Sequence, residues 1–263
     1  MGTFVGQIKI REELRSIVPL ICSGRNTNLF LKAGSGMGKT TLADLIGEEI
    51  FTKTGERYAY YLPSDLGAIS FNPKYRIHFV DEVHTLKLPE LLYPHMDSKK
   101  FTFILACNEF GKVKEPMINR CISLIFEDYT TEELEVITRD FFRKDKMELS
   151  SDEVSVIIRN SNGIPREIEK LAERIIYAKL RNKKLVIEDY IKTVIGLDEG
   201  LNSFHVKYLA FLRNIGIASL DTISLALRLD REIVKDQVEP ILIRRSLITI
   251  TSRGRKLVND SVI

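Results

Sequence analysis

A glycine-rich segment near the N-terminus has the composition and spacing of a phosphate-binding loop. Residues 33–40 read AGSGMGKT, with Ala33 at a position where the strict pattern has glycine, and an apolar stretch, 28–31, precedes them. A glycine-rich turn between a strand and a helix directs several backbone N–H groups at one point, and the helix N-terminus adds partial positive charge. We therefore predict that the following residues bind nucleotide phosphates: Gly34, Ser35, Gly36, Met37, Gly38, Lys39, Thr40 and Thr41.

Two carboxylates end an apolar stretch about forty residues after this loop. Residues 76–82 read RIHFVDE, which predicts a buried strand that carries Asp81 and Glu82 to the edge of a sheet. Next to a phosphate loop, Asp81 and the Thr40 hydroxyl can hold Mg²⁺, while Glu82 can polarise the attacking water. Lys39 can reach the outer phosphates. The two segments together predict an enzyme that binds and hydrolyses ATP with Mg²⁺.

Three further residues could complete this site, although each also has an ordinary structural explanation. Asn108 follows the apolar stretch 101–107 and could orient the attacking water, but a single Asn is more often a turn residue. Arg120 ends a short predicted helix, where a surface ion pair is the simpler interpretation. Arg166 begins a helix, where an ion pair with Glu169 or Glu173 is the ordinary explanation, although the first turn of a helix disfavours cations. A role in sensing the γ-phosphate would explain why this arginine is tolerated there.

Composition limits the class of protein. The chain has 263 residues, with 44% hydrophobic and 29% charged, which suits a globular protein of two or three domains. No apolar run approaches the ~20 residues that span a bilayer, so no membrane association is expected. The three cysteines lack metal-ligand spacing, which predicts reduced thiols and a cytoplasmic location. The net charge of +3 resides entirely in residues 199–263, which hold 10 basic and 7 acidic side chains.

The order of predicted elements divides the chain into three domains. Residues 1–128 alternate strands (near 28–32, 58–61, 76–81, 101–107 and 121–126) with helices, which predicts a parallel α/β sheet. Residues 129–198 contain only helices and predict a small helical lid. Residues 199–263 predict three helices and a hairpin, the pattern of a winged helix. A solvated basic surface or a protein-binding domain fits the same pattern as a DNA-binding domain. The candidate DNA contacts are the basic side chains Arg244, Arg245, Arg253, Arg255 and Lys256.

Taken together, these motifs resemble those of the AAA+ ATPases, and most closely of the RuvB type, the Holliday-junction branch-migration motors. The resemblance covers nearly the whole chain. It implies that Val5 and Pro165 lie near the nucleotide, and that Pro165 and Arg166 belong to the sensor-2 motif. The segments that carry it are 4–7 (FVGQ), 33–43 (AGSGMGKTTLA), 64–69 (SDLGAI), 81–84 (DEVH), 92–96 (LYPHM), 163–166 (GIPR), 239–243 (EPILI) and 251–255 (TSRGR).

The resemblance also implies an oligomer. In such ATPases the subunits form a ring, expected here to be a hexamer, and Arg120 would complete the site of the neighbouring subunit. Two features depart from the RuvB pattern. Only 25 residues separate Glu82 from Asn108, which leaves no room for the hairpin that grips a RuvA-type adaptor, so any adaptor would be of another kind. Residues 104–121 look more like clamp-loader ATPases, which have Asn as sensor 1.

These features lead to one main hypothesis and two alternatives. The main hypothesis is a ring-forming, ATP-hydrolysing motor of RuvB type that acts on duplex or branched DNA. The first alternative is a clamp-loader-like or helicase-loader-like factor that uses ATP as an assembly switch on DNA. A pure DNA-binding regulator is disfavoured, because the hydrolytic set is complete.

Overall fold

The computed structural model describes residues 4–62, 72 and 74–258. The chain forms two compact units, Met1–Asp140 with Gly163–Glu169, and Phe141–Asn162 with Lys170–Ile263. The segment 64–69, part of the resemblance, lies outside the described residues.

The first unit is built on a parallel sheet of five strands in the order β2-β3-β4-β1-β5. The central strand β1 pairs with β4 and with β5, so that Leu29 lies opposite Ile104 on one side and Ile122 on the other. The parallel register brings the carboxyl ends of neighbouring strands to one edge of the sheet. The strands are β1 (Leu29–Lys32), β2 (Tyr58–Tyr61), β3 (Ile77–Val80), β4 (Thr102–Cys107) and β5 (Ile122–Ile125).

Both faces of this sheet are covered. Along β1, Leu29 and Leu31 pack into one core, whereas Phe30 packs into a second core with Phe103 on the opposite face. This alternation follows from the two-residue period of a strand, and it explains why the strands read as continuous apolar runs. The helices of this unit include α1 (Ile8–Cys22), α2 (Lys39–Thr54), α3 (Tyr93–Asp97) and α4 (Glu115–Ile118), with short 3₁₀ turns at Val83–Thr85, Pro89–Leu92 and Phe110–Lys112.

Four helices follow the sheet. Ser150 caps the N-terminus of α6 in a capping box: its side chain accepts from the Glu153 backbone N–H, and the Glu153 side chain accepts from the Ser150 backbone N–H. The last helix, α8, continues as a π-helical turn over Ile191–Ile195. These helices are α5 (Thr131–Lys144), α6 (Ser151–Asn160), α7 (Pro165–Arg181) and α8 (Ile187–Tyr190).

The C-terminal part of the second unit has the architecture of a winged helix. Its helices pack around an apolar core that includes Tyr208, Leu212 and Ile223. Pro240 has no backbone N–H to donate, and the helical stretch that contains it is π-helical over Val234–Val238. The elements are α9 (Ser203–Ile215), β6 (Ile217–Ala218), α10 (Leu220–Leu227), α11 (Arg231–Ile233), α12 (Glu239–Arg244), β7 (Ile248–Thr251) and β8 (Gly254–Leu257).

The predicted fold class is confirmed, and the five predicted strands of the sheet occur within a residue or two of their expected positions. The sequence patterns missed α1 and the two-residue strand β6. The domain boundaries at residues 128 and 198 stay a prediction. Within the described part of the chain, no helix is long and apolar enough to cross a membrane.

Candidate ATP-hydrolysis site and DNA-binding surface

The predicted nucleotide-binding residues lie at one edge of the sheet. The glycine-rich loop follows β1, Asp81 follows β3, and Asn108 follows β4. These three strands are neighbours in the sheet and run parallel, so their carboxyl ends meet. The Thr40 hydroxyl and an Asp81 carboxylate oxygen are 3.1 Å apart, which shows that the two halves of the site come together.

Two glycines of the loop have backbone conformations that other residues rarely adopt. Gly36 and Gly38 have φ of 77° and 93°. A Cβ atom on Gly36 would also lie 2.8 Å from Ile164 and 2.9 Å from the Cβ of Arg166. The loop therefore needs glycine at Gly36 both for its turn and for the close approach of the segment that carries Arg166.

Lys39 is a buried cation that lacks a full counter-charge in the protein alone. It is 6% exposed, and its ammonium group donates to the carbonyl oxygens of Ala33 and Gly34, each at 3.0 Å. Burial lowers the pKa of Lys39, and the nearby carboxylates of Glu82 and Asp81 only partly oppose this effect. An anionic phosphate placed beside Lys39 would stabilise the charged form. Gly34, Ser35 and Thr41 are exposed, as a surface that receives a ligand requires.

Thr40, Asp81 and Tyr60 form a cluster of oxygen atoms next to the loop. Asp81 Oδ2 accepts hydrogen bonds from the Thr40 hydroxyl at 3.1 Å and from the Tyr60 hydroxyl at 3.3 Å. Burial and the charge of Asp81 raise the pKa of Tyr60, so its phenol stays protonated at neutral pH. Hydroxyl and carboxylate oxygens are the ligands that Mg²⁺ prefers, and the pair Thr40–Asp81 therefore fits a phosphate-bound Mg²⁺.

Glu82 stands beside Asn108 in a constrained backbone conformation. Its φ is 46°, an unusual value for a residue other than glycine, and its backbone N–H donates to Asp81 Oδ1 at 2.9 Å. The Asn108 amide donates to Glu82 Oε1 at 3.3 Å. The other oxygens, Glu82 Oε2 and Asn108 Oδ1, are buried without a hydrogen-bond partner. Unsatisfied polar atoms of this kind suit a site that receives a water molecule and a phosphate.

The sensor-2 segment contacts the loop through its backbone. The N–H of Arg166 donates to the Gly36 carbonyl oxygen at 3.3 Å, and the Arg166 side chain is exposed. Pro165 is the first residue of α7, where the missing N–H of proline costs no hydrogen bond. The structure therefore brings both predicted sensor residues to the phosphate loop, while their roles toward a nucleotide stay predictions.

The N-terminal segment is fixed beside the loop. The Gln7 amide donates to the Glu127 carbonyl oxygen at 2.7 Å and accepts from the Glu127 N–H at 2.9 Å. Buried Phe4 packs edge-on against Phe126, with ring centroids 6.5 Å apart. Val5, between these anchors, is half-buried. This placement suits the predicted contact of Val5 with a nucleotide base, which stays a prediction.

Arg120 lies at the amino ends of the strands, whereas the phosphate loop of the same chain lies at their carboxyl ends. It precedes β5, and its carbonyl oxygen accepts from the side chain of Asn28, the residue before β1. Its guanidinium donates to both oxygens of Asp97, at 2.9 and 3.1 Å, and to the Pro116 carbonyl oxygen at 2.8 Å. The guanidinium carbon also lies 4.6 Å from the ring centroid of Tyr93. Arg120 therefore cannot serve its own site, so any catalytic role must be in a neighbouring subunit.

The predicted DNA contacts differ in how much of their charge they present. Arg244, Arg245, Arg253 and Lys256 are exposed, and Arg245 also donates to the Glu199 carbonyl oxygen. Arg255, in contrast, is engaged within the protein, because its Nε donates to Glu239 at 2.8 Å. The interpretation of Arg255 as a surface cation needs correction, since its main contact is with a buried carboxylate. DNA binding by the other four stays a prediction.

Sequence reasoning missed several residues that support the site. Tyr60 contacts Asp81, and the Tyr129 hydroxyl donates to the Met37 carbonyl oxygen at 3.0 Å. Tyr60 lies near the carboxyl end of β2, which pairs with β3, so its position along the strand was a usable signal. Tyr129 is 92 residues from Met37 in the chain, and no local pattern links the two.

Two family models match this chain. The model for the P-loop domain of the Holliday junction DNA helicase RuvB matches residues 1–112, and the model for the RuvB C-terminal winged helix domain matches residues 198–262. A curated relative, the Holliday junction branch migration complex subunit RuvB of Mycoplasma genitalium, is 33% identical over 260 residues, covering 89% of this chain and 85% of the relative. The chain belongs to the RuvB family.

Further comparisons agree with this membership. The corresponding subunit of Mycoplasma pneumoniae is 30% identical, covering 96% of this chain and 92% of the relative. Among solved structures, the RuvB Holliday junction branch migration motor of Thermotoga maritima matches with a TM-score of 0.80 and 25% identity, covering 97% of this chain and 92% of that one. The predicted resemblance to RuvB-type ATPases is confirmed, and the chain is a P-loop ATPase of this family. The comparisons favour the RuvB interpretation over the clamp-loader alternative.

Proposed function

We propose that the protein is an ATP-driven motor that assembles into a homo-oligomeric ring and moves branched DNA of the Holliday-junction type. The observation that carries this proposal is the meeting of Lys39, Thr40, Asp81 and Glu82 at one edge of the sheet, in a chain that also holds a winged helix. Family membership supports the same activity, because the relatives are named as branch-migration subunits.

The hydrolytic step follows from the groups at the sheet edge. Lys39 binds the outer phosphates, whose negative charge offsets the cost of burying the ammonium group. Thr40 and Asp81 would hold Mg²⁺, which would supply positive charge beside the phosphate oxygens. Glu82 polarises the attacking water, and Asn108 fixes the Glu82 carboxylate by donating to Oε1. Arg120 from the next subunit stabilises the transferred phosphoryl group.

Arg166 connects hydrolysis to movement of DNA in this proposal. Its backbone contacts the phosphate loop, and its side chain is free to approach the γ-phosphate. Helix α7, which Pro165 and Arg166 begin, continues from the first compact unit into the second. A change at the γ-phosphate is thereby passed to the unit that contains the winged helix. The ring, its hexameric state, a non-RuvA adaptor and a cytoplasmic location belong to the same proposal.

The deciding experiment measures ATP hydrolysis and junction unwinding in the same samples. Wild type and Glu82→Gln are compared without DNA, with linear duplex and with a four-way junction. A motor shows many turnovers, stimulation by the junction and ATP-dependent branch movement, all of which Glu82→Gln abolishes. Hydrolysis in a single burst without branch movement would contradict the motor and point to the loader alternative, which needs a client protein.

A further inference from the structure

A histidine next to the proposed catalytic carboxylate has no role in the mechanism above. His84 lies in the 3₁₀ turn Val83–Thr85 that follows β3, and its side chain is 6% exposed. Its Nδ1 is 3.3 Å from Glu82 Oε2, and its Nε2 is 3.3 Å from Glu109 Oε1. The imidazole ring therefore stands between two carboxylates, each facing one of its nitrogens.

We propose that His84 is a positioning residue that sets the direction of the Glu82 carboxylate during ATP hydrolysis. This inference rests on the proposed role of Glu82. Asn108 holds the carboxylate from one side, through Oε1. His84 faces the other oxygen, so the two groups together can fix a side chain that otherwise rotates about three bonds.

His84 and Glu82 are close enough for a hydrogen bond, but their atoms are not aligned for one. Glu82 Oε2 and His84 Nδ1 are both buried, and neither has an aligned hydrogen bond, although they are 3.3 Å apart. Buried polar atoms without partners are rare in folded proteins and are found at functional sites. Hydrogen bonds of catalytic groups are often long in the absence of substrate and shorten when it binds. A small rotation of either side chain would complete this one.

Glu109 links the same histidine to the loop that carries Asn108. Glu109 follows Asn108 directly, and its second oxygen pairs with Lys112 at 2.6 Å, which restrains the carboxylate. The segment after β4 thus reaches Glu82 by two routes, directly through Asn108 and indirectly through Glu109 and His84. A shift of this segment when the γ-phosphate leaves would move both contacts to Glu82 together.

Two substitutions of His84 distinguish the role of Nδ1, which faces Glu82, from that of Nε2, which faces Glu109. The amide nitrogen of asparagine can occupy the place of Nδ1, and that of glutamine the place of Nε2. His84→Asn therefore keeps a donor toward Glu82, whereas His84→Gln keeps only the donor toward Glu109. We expect His84→Gln to lower kcat for ATP hydrolysis by about tenfold or more, while His84→Asn recovers most of the activity. The Kd of a fluorescent ATP analogue should stay within about twofold of wild type in both variants.

Two further variants complete the design. Glu109→Gln, which leaves His84 in place, should lower kcat less than His84→Gln does. Glu90→Gln removes an exposed ion pair with Lys114 that joins the same two segments away from the site, and should leave kcat unchanged. Equal kcat in wild type, His84→Gln and Glu109→Gln would overturn the inference. The inference would also be overturned if His84→Asn and His84→Gln lowered kcat equally and both weakened nucleotide binding. That result would indicate that His84 has a packing role only.

The role of Glu82 is tested in parallel. If Glu82→Gln still hydrolyses ATP, the proposed function of Glu82 fails and the inference fails with it. If Glu82→Gln is inactive but His84→Gln is not, only the inference fails. Should the His84 variants not fold, the comparison of Glu109→Gln with Glu90→Gln decides the question, with equal kcat overturning the inference.

Discussion

Glu239 and Arg255 form an ion pair that joins the third helix of the winged helix to its hairpin. The Arg255 Nε and Nη2 atoms donate to the two Glu239 oxygens at 2.8 and 3.3 Å. The Tyr208 hydroxyl donates to Glu239 at 2.8 Å, and the Glu239 side chain is only 1% exposed. The carboxylate is thus bonded from α9 and from β8 at once, which fixes the hairpin relative to two helices of the domain.

Removal of one partner should loosen the hairpin. Glu239→Gln leaves a poorly exposed guanidinium without its counter-charge, and breaking such a pair costs about 3 kcal/mol. Amide hydrogen exchange of residues 248–257 in the full chain should therefore be faster in Glu239→Gln than in wild type. Glu232→Gln, an exposed residue on α11, is the control and should leave exchange unchanged. Unaltered protection in Glu239→Gln would show that the pair does not hold the hairpin.

Salt dependence separates the structural arginine from the surface cations. Lys256→Gln and Arg253→Gln each remove an exposed charge. The slope of log K for duplex binding against log salt should therefore become shallower by about 0.9 for each phosphate that the variant no longer neutralises. Arg255→Gln should lower the free energy of unfolding but leave this slope nearly unchanged, because Glu239 already neutralises the charge of Arg255. Equal slopes in wild type and Lys256→Gln would remove Lys256 from the DNA surface.

The winged helix should lose stability as the pH falls, because of His205. Its Nδ1 accepts from the Asn202 N–H at 3.0 Å in a capping box, and burial lowers the pKa of His205 to about 4. The ordinary value is 6.5, so between pH 6.5 and 4 the unfolded state binds more protons than the folded state. The stabilisation is complete above pH 6.5 and is lost as the pH falls toward 4.

His205→Gln tests this dependence. Glutamine can keep the capping hydrogen bond but does not titrate, so the variant should lose about 2 kcal/mol less stability than wild type between pH 7 and 4.5. Urea midpoints are read from the backbone NMR signals of residues 203–215 at both pH values. His78, whose pKa burial also lowers to about 4, is present in both proteins and cancels in the comparison. The same loss in both proteins would rule out His205 as the source.

Thr40 should control the requirement for Mg²⁺. Its hydroxyl is 3.1 Å from Asp81, and Thr40→Val keeps the shape of the side chain while it removes the oxygen. The Mg²⁺ concentration for half-maximal ATPase activity should rise by about tenfold or more, with a smaller change at saturating Mg²⁺. Thr52→Val removes a hydroxyl that bonds only within the same helix and serves as the control. An unchanged Mg²⁺ requirement in Thr40→Val would exclude this residue as a ligand.

A shared active site should be visible when subunits are mixed. Arg120→Ala and Glu82→Gln should each be inactive alone, because an arginine supplied by a neighbour contributes about 10³-fold or more to the rate. In an equal mixture about a quarter of the interfaces would combine an intact Glu82 with an intact Arg120, so activity should return. A mixture with no activity would contradict the shared site.

Asp97 should affect the rate of ATP hydrolysis, because it holds the guanidinium of Arg120. It accepts two hydrogen bonds from Arg120, so Asp97→Asn should lower kcat with little effect on nucleotide affinity. Glu90→Gln, which removes a surface ion pair of the same region, is the matched control. Full activity of Asp97→Asn would show that Arg120 does not need this support.

Features built from neighbouring residues could be predicted without the fold. The phosphate loop is made of consecutive residues, so its glycines, Lys39 and Thr40 were readable from spacing alone. The three central strands β1, β3 and β4 were recognisable because they are buried on both faces and read as apolar runs. The winged helix followed from three helical periods and a basic hairpin, which are likewise local patterns.

Which charged groups meet, in contrast, depended on the folded chain. Arg255 looked like a surface cation, yet it pairs with Glu239, 16 residues away, and Arg120 pairs with Asp97, 23 residues away. His84 came between Glu82 and Glu109 because β3 and β4 are neighbours in the sheet. Many acids could pair with each base, and the choice depends on strand order and burial, which no spacing along the chain records.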